Sequence, residues 1–134
     1  MTKLAVIEGI GEVYAQRLQA AGISTVEALL EKGATPKGRQ ALEEQTGISG
    51  KLILDWVNRA DLFRIKGIGE EYSDLLEQTG VDTVVELAQR KAENLYAKLV
   101  EVNAAQKLVR KLPSQAQVVE WVEQAKALPR VVTY

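Results

Sequence analysis

Residues 7–30, IEGIGEVYAQRLQAAGISTVEALL, recur as residues 65–88, IKGIGEEYSDLLEQTGVDTVVELA, at an offset of 58 with eleven of 24 positions identical. The shared positions include Gly9/Gly67, Ile10/Ile68, Gly11/Gly69, Tyr14/Tyr72, Leu18/Leu76 and Gly22/Gly80. An internal repeat of this length constrains the fold more than any composition figure, because whatever folds one copy must fold the other. The closing segments match too: Asp55-Trp56-Val57 answers Glu120-Trp121-Val122, now at an offset of 65. Seven extra residues therefore lie between 89 and 119. Residues 1–64 and 65–134 read as two copies of one helical unit, and the two are expected to share a helix and fold cooperatively.

Start and stop signals divide each copy into short helices. In the first, a helix runs from Gly11 to about Ala21 and ends at Gly22. Ser24 then caps a second helix, with Glu27 completing a capping box and Gly33 closing it. Thr35-Pro36 launches a third, to about Thr46, and Ser49 caps a fourth that carries Ile53, Trp56, Val57 and Ala60 at helical spacing. The second copy repeats the scheme over Gly69–Thr79, Asp82–Arg90, about Glu93–Lys111 and Ser114–Leu128. No alternating strand pattern survives, so the fold class is all-α. Trp56, Trp121, Tyr14 and Tyr72 fall on apolar stripes and are expected in the core.

The unit apolar–x–Gly–Ile–Gly–x–x–x–small–x–x–apolar occurs at Ile7–Leu18 and at Ile65–Leu76, with Ala15 and Ser73 as the small residues. Two glycines around one apolar residue permit a tight reversal while the isoleucine packs between helices. This pattern resembles the hairpin of the helix-hairpin-helix family, and its duplication resembles an uncharacterised bacterial family built of tandem hairpins. The resemblance implies two hairpin repeats that hold a DNA phosphate on backbone amides without reading bases. Carried onto this chain, those amides belong to Gly9, Ile10 and Gly11 and to Gly67, Ile68 and Gly69.

Charge separates the two copies. Glu8 and Glu12 flank the first hairpin, where a phosphate would meet like charge, so a structural role is expected there. Arg64 and Lys66 precede the second, although Glu70 and Glu71 open the helix behind it. The most basic stretch, residues 98–111, holds Lys98, Lys107, Arg110 and Lys111 against Glu101. Together with Arg64 and Lys66 it is the expected source of counterion release on DNA. Lys37, Arg39 and Lys51 form a weaker group in the first copy.

Composition closes other routes. The chain has no His and no Cys, which excludes cysteine nucleophiles, disulfides, thiolate metal sites and His-dependent triads. No enzyme activity, cofactor or metal is expected. Val81-Asp82-Thr83-Val84 looks like a glycosylase segment, but a helix cap explains Asp82 and no catalytic Lys accompanies it. Gly-Ile-Gly follows no strand, so it is not a dinucleotide loop. No apolar run reaches the roughly 18 residues of a membrane span, and no secretory signal is recognisable, so the expected location is cytoplasmic.

Two functions follow as expectations. The first is a non-enzymatic module with sequence-independent affinity for the DNA backbone. The alternative is a protein–protein adaptor that retains the hairpins structurally, in keeping with a net charge of -1 and with the flanking acids. The second copy ends without a following hairpin, so either helix 114–128 takes the place of a leading helix or the exposed ends join two chains as a homodimer.

Overall fold

The computed structural model describes residues 2–134, and these form eight α-helices with no strand among the described residues. They are α1 (Glu12–Ala20), α2 (Val26–Gly33), α3 (Pro36–Thr46), α4 (Gly50–Leu62), α5 (Glu70–Gln78), α6 (Val84–Ala88), α7 (Ala92–Gln106) and α8 (Gln115–Ala127). A single 3-10 turn, Leu4–Val6, precedes them. The chain divides into two compact units, residues 2–61 together with Val131–Tyr134, and Leu62–Arg130.

In the first unit α3 packs against α1 and α2, with Leu18, Ile23, Leu29 and Ile53 fully buried. Thr35 accepts the Gly38 amide at 3.0 Å with Pro36 at the first helical position, and Gly47 closes α3 at φ 72°. The cap of α2 is Thr25, not the expected Ser24: its Oγ1 accepts the Ala28 amide at 3.1 Å. Thr25 is extended, at φ -136° and ψ 161°, which places its hydroxyl over the helix mouth, and it pairs with Lys3 in an isolated antiparallel bridge. Glu27 therefore completes no capping box. Its carboxylate accepts the Thr2 amide instead, at 3.0 and 3.2 Å.

The second unit repeats this correction one copy later. Thr83 caps α6, accepting the Glu86 amide at 3.2 Å, while Asp82 stays exposed one residue upstream. Here α8 packs on α6 and α7, and α5 packs on α7. Leu75, Leu76, Leu87, Leu95, Leu99 and Trp121 lie at the centre of the core. Ser114 caps α8 in a full capping box with Gln117, as its sequence position implies.

One helix ends well short of expectation. Helix α7 stops at Gln106 instead of Lys111, because Lys107 takes the left-handed conformation (φ 52°) and donates its amide to Asn103 at 2.7 Å. The Asn103 side chain then bonds both backbone groups of Val109, accepting its N–H at 2.9 Å and donating to its C=O at 3.2 Å. A continuing helix would have paired that N–H with Ala105 but left the C=O facing Pro113, which has no N–H, so the side chain satisfies both groups in a fixed loop. Pro113 further disfavours helix at the residue before it. Residues 107–112 thus leave the helix, carrying Lys107, Arg110 and Lys111 outward, all exposed.

Candidate nucleic-acid interface

The second Gly-Ile-Gly segment, Ile65 to Gly69, is a turn built around a buried isoleucine. Ile65 and Ile68 are 1% and 4% exposed and face the core. Burial of a side chain this size contributes about 1.5–3 kcal/mol, so packing alone accounts for the isoleucine between the glycines. Gly67 reverses the chain at φ 98°, a region an L side chain rarely enters. The Ile68 amide donates to the Ile65 carbonyl at 3.2 Å and closes the turn. That bond removes Ile68 from the set of outward donors named by the resemblance. Among the described residues no hydrogen bond occupies the amides of Gly67 and Gly69, both exposed, and Gly69 opens α5 without a side-chain cap.

Three side chains position this turn. Gln124 of α8 clasps Lys66 through both backbone groups, accepting its N–H at 2.8 Å and donating to its C=O at 3.1 Å. Trp121, one turn earlier on the same helix, lies beneath Gly67. Tyr72 of α5 packs on the Trp121 ring, centroids 5.3 Å apart, and its hydroxyl donates to the Lys111 carbonyl at 3.0 Å. Tyr72 stands three positions after Gly69, so this bond sets the Lys111 backbone beside the Gly-Ile-Gly turn. Lys66, Lys107, Arg110 and Lys111 are exposed, against the exposed carboxylates Glu70 and Glu71. Glu120 and Glu123, on α8 to either side of Trp121 and next to Gln124, are exposed as well.

Arg64 is turned to another purpose: its Nη2 donates to the Pro129 carbonyl at 2.8 Å, tethering the segment after α8. Lys98 pairs with Glu101 at 3.8 Å along α7, an ordinary exposed helix pair.

A family model described as Domain of unknown function (DUF4332) matches residues 8–128. The chain belongs to that family. Comparison with curated proteins and with solved structures finds no match. The DUF4332 match spans both Gly-Ile-Gly turns and the whole basic loop, so these features lie inside the family's domain.

The Gly-Ile-Gly turn of the first unit has the same backbone. Gly9 sits at φ 94°, the Ile10 amide donates to Ile7 at 3.1 Å, and Ile10 is 5% exposed. Tyr14 packs edge-on against Trp56 at 5.1 Å, as Tyr72 does on Trp121. Glu8, Gly9, Gly11 and Glu12 are all exposed, and Arg17 lies over the Tyr14 ring at 5.9 Å. Of the weaker basic group, Arg39 is not a surface cation at all: it is 8% exposed and bonded to the carbonyls of Gly33, Ala34 and Thr133.

Gln124 and Asn103 are the positioning residues that sequence reasoning does not reach. Gln124 aligns with Arg59 in the first copy, so the repeat offers no identity to flag it. Tyr72 was visible as a repeated aromatic, but not as a hydroxyl donor. A cavity of about 270 Å³ in the first unit, lined by Ala21, Lys32, Gly38, Ala41, Leu42 and Gln45, includes none of the expected site residues. Among the described residues no three carboxylates cluster to hold a metal ion, and no helix is long and apolar enough to cross a membrane.

Proposed function

We propose that this DUF4332 domain is a non-enzymatic tandem helix-hairpin-helix module that binds the DNA backbone weakly and without sequence preference. The hydrogen bond from Tyr72 to the Lys111 carbonyl carries this reading, because it sets a basic loop beside a turn with two outward glycine amides. Amides at a helix N-terminus suit a phosphate oxygen, and lysines beside them supply counterion release. The phosphate-facing groups are the amides of Gly67 and Gly69 with Lys66, Lys107, Arg110 and Lys111. Glu70 and Glu71 temper the affinity and favour contact with a single backbone segment. The first hairpin is a packing element, since Glu8 and Glu12 repel an anion.

The test is binding to duplex, single-stranded and branched DNA over a range of salt. Affinity should fall steeply with salt, with about 0.9 of a logarithmic slope for each phosphate contact on duplex. Lys66→Glu and Arg110→Glu should each weaken binding on every sequence alike and flatten that slope. Absence of binding at low salt would transfer the assignment to a second reading, a protein-binding adaptor. The exposed, acid-flanked hairpin of the first unit favours that reading.

A further inference from the structure

The cavity of about 270 Å³ in the first unit is walled by Ala21, just past α1, by Lys32 of α2 and by four residues of α3. Those four, Gly38, Ala41, Leu42 and Gln45, recur at three- and four-residue spacing and so form one stripe of the helix. Leu42 is buried, and with the methyl groups of Ala21 and Ala41 it makes part of the wall apolar. Lys32 and Gln45 bring the polar side chains. Both residues are exposed, and among the described residues neither side chain makes a hydrogen bond or ion pair. No carboxylate lines the space: Glu31 and Glu44 lie outside the wall, and Glu43 Oε2 stands against Gly50 instead. The walls are also held in place without a ligand. Arg39 Nη1 donates to the carbonyls of Gly33 at 2.8 Å and Ala34 at 3.1 Å, fixing the corner between α2 and α3. Gly38 approaches α2 so closely that an added Cβ would strike the Lys32 carbonyl. A cavity formed in advance spares a ligand the cost of ordering its walls.

We propose that this cavity is a binding site for a small monocarboxylate with a compact apolar body, the chemistry of benzoate. The carboxylate takes the Lys32 ammonium and the Gln45 amide N–H as donors, and the apolar body covers Leu42, Ala21 and Ala41. A neutral ligand of the same shape leaves the lysine without a counter-charge. Acetate or inorganic phosphate satisfies the charge but leaves the apolar wall in water. The volume lies just below the roughly 300 Å³ at which sites for drug-sized ligands begin, so the ligand is smaller than those. The site shares no residue with the second Gly-Ile-Gly turn or the basic loop, and it does not depend on DNA binding.

The test is titration of the full chain, labelled with nitrogen-15, with benzoate and with hexanoate at constant ionic strength. Amide resonances of Ala21, Lys32, Ala41 and Gln45 should shift saturably, with a dissociation constant on the order of millimolar for ligands this small. Benzamide, the neutral counterpart of benzoate, should bind several-fold more weakly, as should acetate and inorganic phosphate. Lys32→Gln should weaken benzoate several-fold while leaving benzamide unchanged. Ala41→Leu, at an exposed helical position that accepts a larger side chain, should fill the space and abolish the shifts in a chain shown folded by circular dichroism. No saturable shift at these residues with either acid overturns the proposal. So does equal benzoate affinity for wild type and Lys32→Gln, a comparison that stands whether or not Ala41→Leu folds.

Discussion

The indole nitrogen of Trp121 lies against Gly67, so closely that a Cβ added to the glycine would stand 3.0 Å from Nε1. In the first unit Trp56 stands in the same relation to Gly9, at 3.4 Å. Each tryptophan fills the space under a turn whose glycine adopts positive φ, and a tyrosine from the following helix packs on its ring. The repeated residues at these positions are thus one packing assembly used twice, with the turn, the indole and the tyrosine holding one another in place. Aromatic pairs of this kind add about 0.5–1.5 kcal/mol beyond their buried area.

Gly67→Ala should destabilise the protein by about 1–2 kcal/mol, from left-handed strain combined with contact against the indole. Gly9→Ala carries the same strain with a looser contact and should cost no more. Chemical denaturation of both variants measures the difference. A neutral Gly67→Ala would refute the packing account of this turn.

Tyr72→Phe keeps the ring on Trp121 and removes only the donor to Lys111. Its stability cost should be about 0.5–1.5 kcal/mol, the usual worth of one such bond. If the basic loop contacts phosphate, DNA affinity should fall several-fold as well, because Lys111 is no longer held beside the Gly-Ile-Gly turn. Equal affinity for wild type and Tyr72→Phe, in a protein that does bind DNA, would place the contact elsewhere.

Gly38→Ala tests a different use of glycine. It sits in the first turn of α3, and an added Cβ would collide with the Lys32 carbonyl, a backbone atom with little room to yield. Overpacking against backbone should cost at least about 1–3 kcal/mol, more than Gly→Ala at an open helical site, which stabilises. A rise in thermal midpoint on this substitution would contradict the close approach of α2 and α3.

Glu27 links stability to pH. Desolvation acts to raise its pKa, but hydrogen bonds from Thr2 and from its own backbone outweigh that and hold the carboxyl below its ordinary value of 4.5. A depressed carboxylate adds stability above the unfolded-state pKa and loses it as pH falls through the lower folded-state value. Glu27→Gln should therefore lower the unfolding midpoint at pH 7, and its gap from wild type should close below about pH 4. The side chain is exposed, so the effect is small and should shrink with added salt. A gap that stays constant across this range would remove Glu27 from the account.

Most helices are legible in the chain because their signals are local. Thr35-Pro36, Gly47 and the Ser114 box act within four residues, and α3 and α8 begin where those residues stand. Ser24 and Asp82 fail as caps because in both units the helix begins one residue later: Thr25 (φ -136°) and Thr83 (φ -137°) are extended, and the hydroxyl nearest the helix mouth becomes the cap. Helix α7 departs from its sequence signals as well, since its last turn is ended by an asparagine reaching six residues forward.

What the sequence by itself determined is the duplication, the helical class and the positions of the turns, because these rest on periodicity and on glycine's freedom at positive φ. Tertiary structure decided which of the turn's atoms remain available. Ile68 and Ile10 close their own turns, Arg64 is drawn to Pro129, and Arg39 is buried on the carbonyls of Gly33, Ala34 and Thr133. It also decided that Lys111 stands beside Tyr72, residues 39 positions apart. Charge and residue type are properties of a sequence, whereas availability depends on which buried polar group found a partner, and that is settled only when the chain packs.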